Sequence, residues 1–186
     1  MNPLLAKVES VLAPVFKGLP PLPKNAKETL VKIWPALALI FGLLQLFAAW
    51  GLWHLGHTTN QLADYANQLA QAYGVQPTVH HLGLFYWIGL LTLAADGLIL
   101  LAAYPGLKAK TKAGWNMLLL SALVNLAYGI FIVFDDNYGG FGKLISSLIG
   151  SAIGFYLIFQ VRDFYGARKA ATSGKASSST TSSRHS

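Results

Sequence analysis

Apolar residues run over four long stretches of the chain, Ile33–Trp53, Leu82–Tyr104, Trp115–Phe134 and Leu144–Val161, and a single charged residue, Asp96, interrupts them. Each stretch is long enough, or nearly so, to cross ~30 Å of hydrocarbon at ~1.5 Å per helical residue. The pattern predicts an all-α, polytopic integral membrane protein built as a four-transmembrane-helix bundle.

Two shorter segments show helical periodicity with a polar side. Near the start, Leu4, Leu5, Val8, Val11, Leu12, Val15 and Phe16 fall on one stripe, with Asn2 placed as an N-cap and Pro3 at the first helical position. Lys7, Glu9 and Lys17 fall outside it, and Pro14 is expected to bend or end the helix. This reads as a short amphipathic helix on the cytoplasmic leaflet, with docking of a soluble partner as the sharper alternative. The second segment, 58–73, puts Leu62, Tyr65, Ala66, Leu69 and Tyr73 on one face and Asn60, Asp64, Asn67, Gln68 and Gln71 elsewhere. It predicts a neutral amphipathic helix at the outer interface or capping the bundle, ended by Gly74 and Pro77.

Punctuation divides the rest. Residues 18–24 form a Pro-rich spacer, Pro105-Gly106 is expected to break the chain after the second span, and 135–140 read as a tight acidic turn. From Ala170 the tail is mostly Ser and Thr, a composition expected to be disordered. Three regions result: a cytoplasmic amphipathic segment with its spacer (1–32), the membrane domain (33–161) and a basic, then Ser/Thr-rich cytoplasmic tail (162–186). The first apolar run begins later and runs longer than the core of a secretory signal peptide, so none is expected.

Charge sets the expected orientation. Of 14 Lys and Arg, only Lys143 falls outside three clusters: the segment before span one, the connection 108–112, and the chain after span four. The connection from His54 to His81 has none. By the positive-inside rule both termini are cytoplasmic, with 54–81 and 135–143 outside. The net charge of +7 therefore reads as contact with anionic headgroups rather than nucleic acid. Trp34, Tyr104, Trp115 and Tyr165 are placed in the cytoplasmic aromatic belt, and Trp50, Trp53, Tyr86 and Tyr138 in the outer one. A bacterial inner membrane is the default location.

Candidate chemistry is sparse. Counting at 1.5 Å per residue puts Asp96 ~12 Å from the cytoplasmic end of its span, Asn125 and Ser151 at ~15 Å, and Gln45 at ~18 Å. One polar group from each span thus reaches a common layer. Asp96 either exchanges a proton or contacts substrate, or serves as helix glue hydrogen-bonded to Asn125, Gln45 or Ser151. Gln45 and Asn125 also follow Trp34 and Trp115 at similar spacing, a faint sign of a repeated hairpin. In the fourth span Gly142, Ser146, Gly150 and Gly154 recur every four residues, a stripe for close helix packing within this chain or against a second copy. Four histidines, His54, His57, His80 and His81, flank the outer connection and could hold Zn or Cu, with Asp64 as a further ligand. No resident cofactor is otherwise expected.

The absence of cysteine excludes disulfides, thiolate metal sites and Cys nucleophiles. No phosphate-binding loop, zinc-protease motif or nucleophile elbow is present. The expectation is a non-enzymatic accessory, scaffold or binding subunit, alone, as a homo-oligomer or beside another membrane protein. The alternatives are a small oligomeric transporter or channel with Asp96 and Asn125 along a polar path, and a metal-handling protein using the outer histidines.

Overall fold

The computed structural model describes residues 3–134 and 141–166, so the expected Asn2 cap, the 135–140 turn and the tail lie outside the described residues. The described residues form five α-helices: α1 Pro3–Lys17, α2 Lys24–Ala72, α3 Leu84–Lys108, α4 Lys112–Phe131 and α5 Phe141–Gln160. Short 3-10 turns, Ile132–Phe134 and Arg162–Phe164, follow α4 and α5. Three helices (α2, α3, and α4 with its 3-10 extension) are long and apolar enough to cross a membrane, and the apolar part of α5, Leu144–Gln160, is shorter. Consecutive helices from α2 to α5 pack against one another, and α1 lies against α5.

The largest departure from the sequence pattern is α2. Its 49 residues merge the first apolar stretch with the amphipathic segment that was expected to form a separate helix. At 1.5 Å per residue it is ~73 Å long, more than twice a hydrocarbon core. No proline lies between Pro35 and Ala72. The glycines there weaken a helix by only about 1 kcal/mol each. The polar face of the far end grips the chain that returns to α3. Asn67 bonds both the N–H and the C=O of Val79, and Asn60 accepts from the Leu82 N–H. Leu62, Tyr65, Leu69 and Tyr73 are left exposed. Gly74, at φ +71°, then turns the chain.

Pro14, expected to bend or end its helix, and Pro105, expected to break the chain, both lie inside helices. α1 continues through Pro14, because Phe16 in its last turn stacks on Phe159 at 5.3 Å and lies against Phe155 at 6.1 Å. Ser10, whose carbonyl Pro14 cannot cap, is exposed to solvent. α3 likewise runs through Pro105, and Leu107 in its last turn is fully buried. The reversal comes at Lys110, the one described non-glycine residue with positive φ (52°), where Thr111 N–H donates to Gly106 O at 2.8 Å. Gly106 and Gly114 let the two backbones touch there, since a Cβ built on Gly106 would lie 2.7 Å from Gly114.

The buried apolar cluster occupies one half of the bundle. Val31, Leu107, Trp115, Leu119, Ile158 and Val161 belong to it, all near the α2 start, the α3 end, the α4 start and the α5 end. Trp115 is therefore a core residue and not a belt residue. Its ring is fully buried, its Nε1–H donates to Ile158 O at 2.9 Å, and the Lys112 ammonium sits 3.7 Å from the ring centroid. Tyr165 is buried as well, and burial pushes its phenol up to about 12.

Glu9 completes this end. It was placed off the apolar stripe of α1, yet it is only 6% exposed, because one carboxylate oxygen takes Lys112 Nζ at 2.7 Å and the Arg162 guanidinium at 2.6 Å. Instead of lying free on a surface, α1 is clamped to α4 and to the turn after α5. The Pro-rich spacer is strapped down too, with Tyr156 Oη donating to Pro20 O at 2.8 Å and Leu22 N–H to Gln160 at 3.2 Å.

Candidate functional site

The half of the bundle opposite Glu9 is open. A cavity of about 930 Å³ begins between α2 and the start of α3, where His81 and Gly83 form its rim, and descends to Asp96 and Asn125. Its walls are mainly apolar, with Leu52, Leu55, Leu90 and Leu93, and with the rings of Phe85, Tyr86 and Tyr128. Tyr86 is fixed by a hydrogen bond to Leu52 O. Gly89 leaves room for Tyr128, whose hydroxyl would lie 2.5 Å from a Cβ built there.

Asp96 is 2% exposed. A pair of glycines sets its surroundings. Gly42 on α2 and Gly97 on α3 cross so closely that a Cβ on either would meet the other's carbonyl oxygen at 3.0 Å. Gln45, one turn on from Gly42, is thereby brought against the residue preceding Gly97. Its Nε2 donates to Asp96 Oδ2 at 2.9 Å, and Asn125 Nδ2 on α4 donates to the same oxygen at 2.7 Å. Asn125 Nδ2 also reaches Ser121 O, one turn back, at 3.0 Å.

Both amides converge on Oδ2. Asp96 Oδ1 is buried with no hydrogen-bond partner, and so is Gln45 Oε1. A buried carboxylate oxygen without a donor is costly, and orphans of this kind gather where a ligand or ion completes the set. Among the described residues no Lys or Arg lines the cavity, and the one imidazole there, His81, is at the rim.

The remaining sequence-derived residues fall elsewhere. Ser151 does not join the Asp96 cluster but lines a separate groove between α4 and α5, with Asn125 on its opposite wall. Within the glycine stripe, a Cβ built at Gly142, Gly150 or Gly154 meets nothing within 4 Å, and Ser146 bonds its own helix at Gly142 O. The close approach of α5 to α4 is made by Ser147 against Gly129.

The four histidines do not assemble a metal centre. Among the described residues no three His or acidic side chains are grouped to hold an ion. His54 lies edge-on to Trp50 and Trp53, and His57 packs between Trp53 and Trp87. His80 lines a shallow polar groove beside α2, and His81 pairs with Asp64 at 2.8 Å. With α2 unbroken past Trp53, the first pair is stacked into an aromatic run along the helix, away from the Asp64–His81 contact.

Sequence reasoning missed the cavity itself and the aromatic part of its wall. The sequence pattern places Tyr86 in an interfacial belt and does not single out Tyr128. Gly89, across from Tyr128, and the Gly42–Gly97 pair were the available signals. Comparison with protein-family profiles, with curated proteins and with solved structures finds no match for this chain.

Proposed function

We propose that this chain is a four-span protein of the cell membrane, with both termini cytoplasmic, and that it works by binding a small amphiphilic molecule rather than by catalysis. The spans would be α2 in its first half, α3, α4 and α5, whose apolar part is short but continuous. The skew of Lys and Arg toward the Glu9 end supports the orientation. That orientation leaves the His81 rim facing outward.

The observation that carries the reading is the cavity ending on Asp96. Its size lies within the range of small-molecule sites, and its character is apolar with a few convergent polar groups. Glue alone would not require a cavity beside the carboxylate, nor leave one oxygen unpartnered. Native mass spectrometry of the protein gently extracted from its own membrane tests this. Wild type is expected to carry an adduct that Leu93→Trp, which fills the cavity, lacks. An adduct retained by Leu93→Trp, or bare protein in both, contradicts it.

A second reading has one specific observation in its favour. Asn125 lines both the cavity and the α4–α5 groove, so a polar path could pass it during transport. The Leu100, Leu107, Leu118 and Leu119 core would then act as a closed gate below Asp96. Substrate-driven proton flux in vesicles that Asp96→Asn abolishes would favour it.

A further inference from the structure

We propose that the cavity selects an ammonium ion carried on an apolar body, held by an ion pair to Asp96; this rests on the binding function proposed above. Three observations bear on the ligand's chemistry. Among the described residues the site holds one carboxyl group and no cation at its depth, so a positively charged head is the natural complement and an anionic head is repelled. Gln45 and Asn125 occupy one oxygen and leave the other without a donor. An ammonium N–H supplies what is missing. Phe85, Tyr86 and Tyr128 add aromatic faces to the same wall, the surroundings that favour organic cations over hydrated metal ions.

The shape of the cavity sets the rest of the ligand. Leucine side chains from α2 and α3 line the path between rim and floor, so a hydrocarbon or aryl chain attached to the nitrogen remains in apolar contact. Oδ1 is covered by the surrounding protein. The terminal torsion of a carboxylate is soft, so this oxygen can turn toward an arriving donor. Among the described residues, the other acid near the opening, Asp64, is paired with His81 and exposed, leaving Asp96 as the buried anionic partner there.

The test uses three probes with one skeleton: 4-phenylbutylamine, 4-phenylbutanol and 4-phenylbutyrate. Their binding to the full-length chain is measured by tryptophan fluorescence or calorimetry in phosphatidylglycerol nanodiscs, which contain no amine headgroup. The amine is expected to bind about tenfold or more tighter than the alcohol, since a charge-assisted bond in a dry site outweighs a neutral one. The carboxylate should bind weakest. Asp96→Asn should erase the preference for amine over alcohol while the alcohol still binds, and Leu93→Trp should weaken both.

Equal binding of amine and alcohol by wild type overturns the ammonium assignment and leaves the binding function standing. Failure of all three probes overturns both. The comparison within wild type stands even if Asp96→Asn fails to fold. Repeating the titration in phosphatidylethanolamine nanodiscs identifies the source of the ammonium. Weakened amine binding assigns the site to a lipid headgroup, and unchanged binding to a free amphiphilic amine.

Discussion

The two ends of this bundle use buried charge in opposite ways. At one end Glu9 is surrounded by Lys112 and Arg162 beside a fully buried Trp115, and two cations meet one anion. At the other, Asp96 is still more deeply buried and, among the described residues, meets only neutral amides and keeps one oxygen without a partner next to an open cavity. The first arrangement is complete within the chain. The second leaves a carboxylate oxygen unsatisfied by the chain, the opening that the proposed ligand would fill. A buried acid in a membrane protein thus says little until its partners are counted.

This contrast predicts that mutations at the Glu9 end damage stability and that those at the Asp96 end damage binding. The largest effect is expected for Trp115→Ala, which removes a fully buried ring, its bond to Ile158 and the face under Lys112. A loss of about 3–5 kcal/mol in unfolding free energy is expected from large-to-small core replacements, read by denaturant titration in detergent. A change below the usual 1 kcal/mol of an average substitution would mean that the closed end is not the stabilising core.

Glu9→Gln comes next. The cations remain half-exposed and can turn to water, so the loss should be about 1–3 kcal/mol, accompanied by faster proteolysis between α1 and α2. Unchanged protection of the 18–23 spacer would show that α1 docks without its clamp. Asp96→Asn should sit below both, within about 1 kcal/mol of wild type, because the amide oxygen can still accept from Gln45 and Asn125. Destabilisation equal to that of Trp115→Ala would make Asp96 helix glue and erase the contrast. The smallest effect is expected for His81→Gln at the rim. Its exposed contact with Asp64 is worth no more than about 1 kcal/mol, and thermal melting should barely move.

What was legible from sequence followed from local pattern. Apolar runs located the helices, and depth counting brought Gln45, Asp96 and Asn125 to one layer, where the structure joins them at Asp96 Oδ2. The pattern could not show which helix ends are held by distant contacts. Continuation of the helices past Pro14 and Pro105 was not legible because Phe16 on Phe159 and Leu107 in the core are long-range contacts, invisible to a window along the chain. Glu9 read only as a residue off the apolar stripe because its partners lie 103 and 153 positions away. The small-residue spacing of α5 does not mark its contact with α4, which is made by Ser147 against Gly129, an isolated glycine with no repeat to mark it.

The cavity was the least legible feature, since an empty volume is a property of packing and leaves no periodic trace. Cysteine chemistry can test it directly, as the chain has no native cysteine. Leu93→Cys, on the cavity wall, and Leu119→Cys, in the buried core, would each be exposed in intact cells to a membrane-impermeant cationic methanethiosulfonate. Leu93→Cys should be modified from the outside and shielded by 4-phenylbutylamine, while Leu119→Cys stays unreactive. A Leu93→Cys thiol that resists the reagent from outside, or reacts only from the cytoplasmic face, would contradict an outward-opening binding cavity above Asp96.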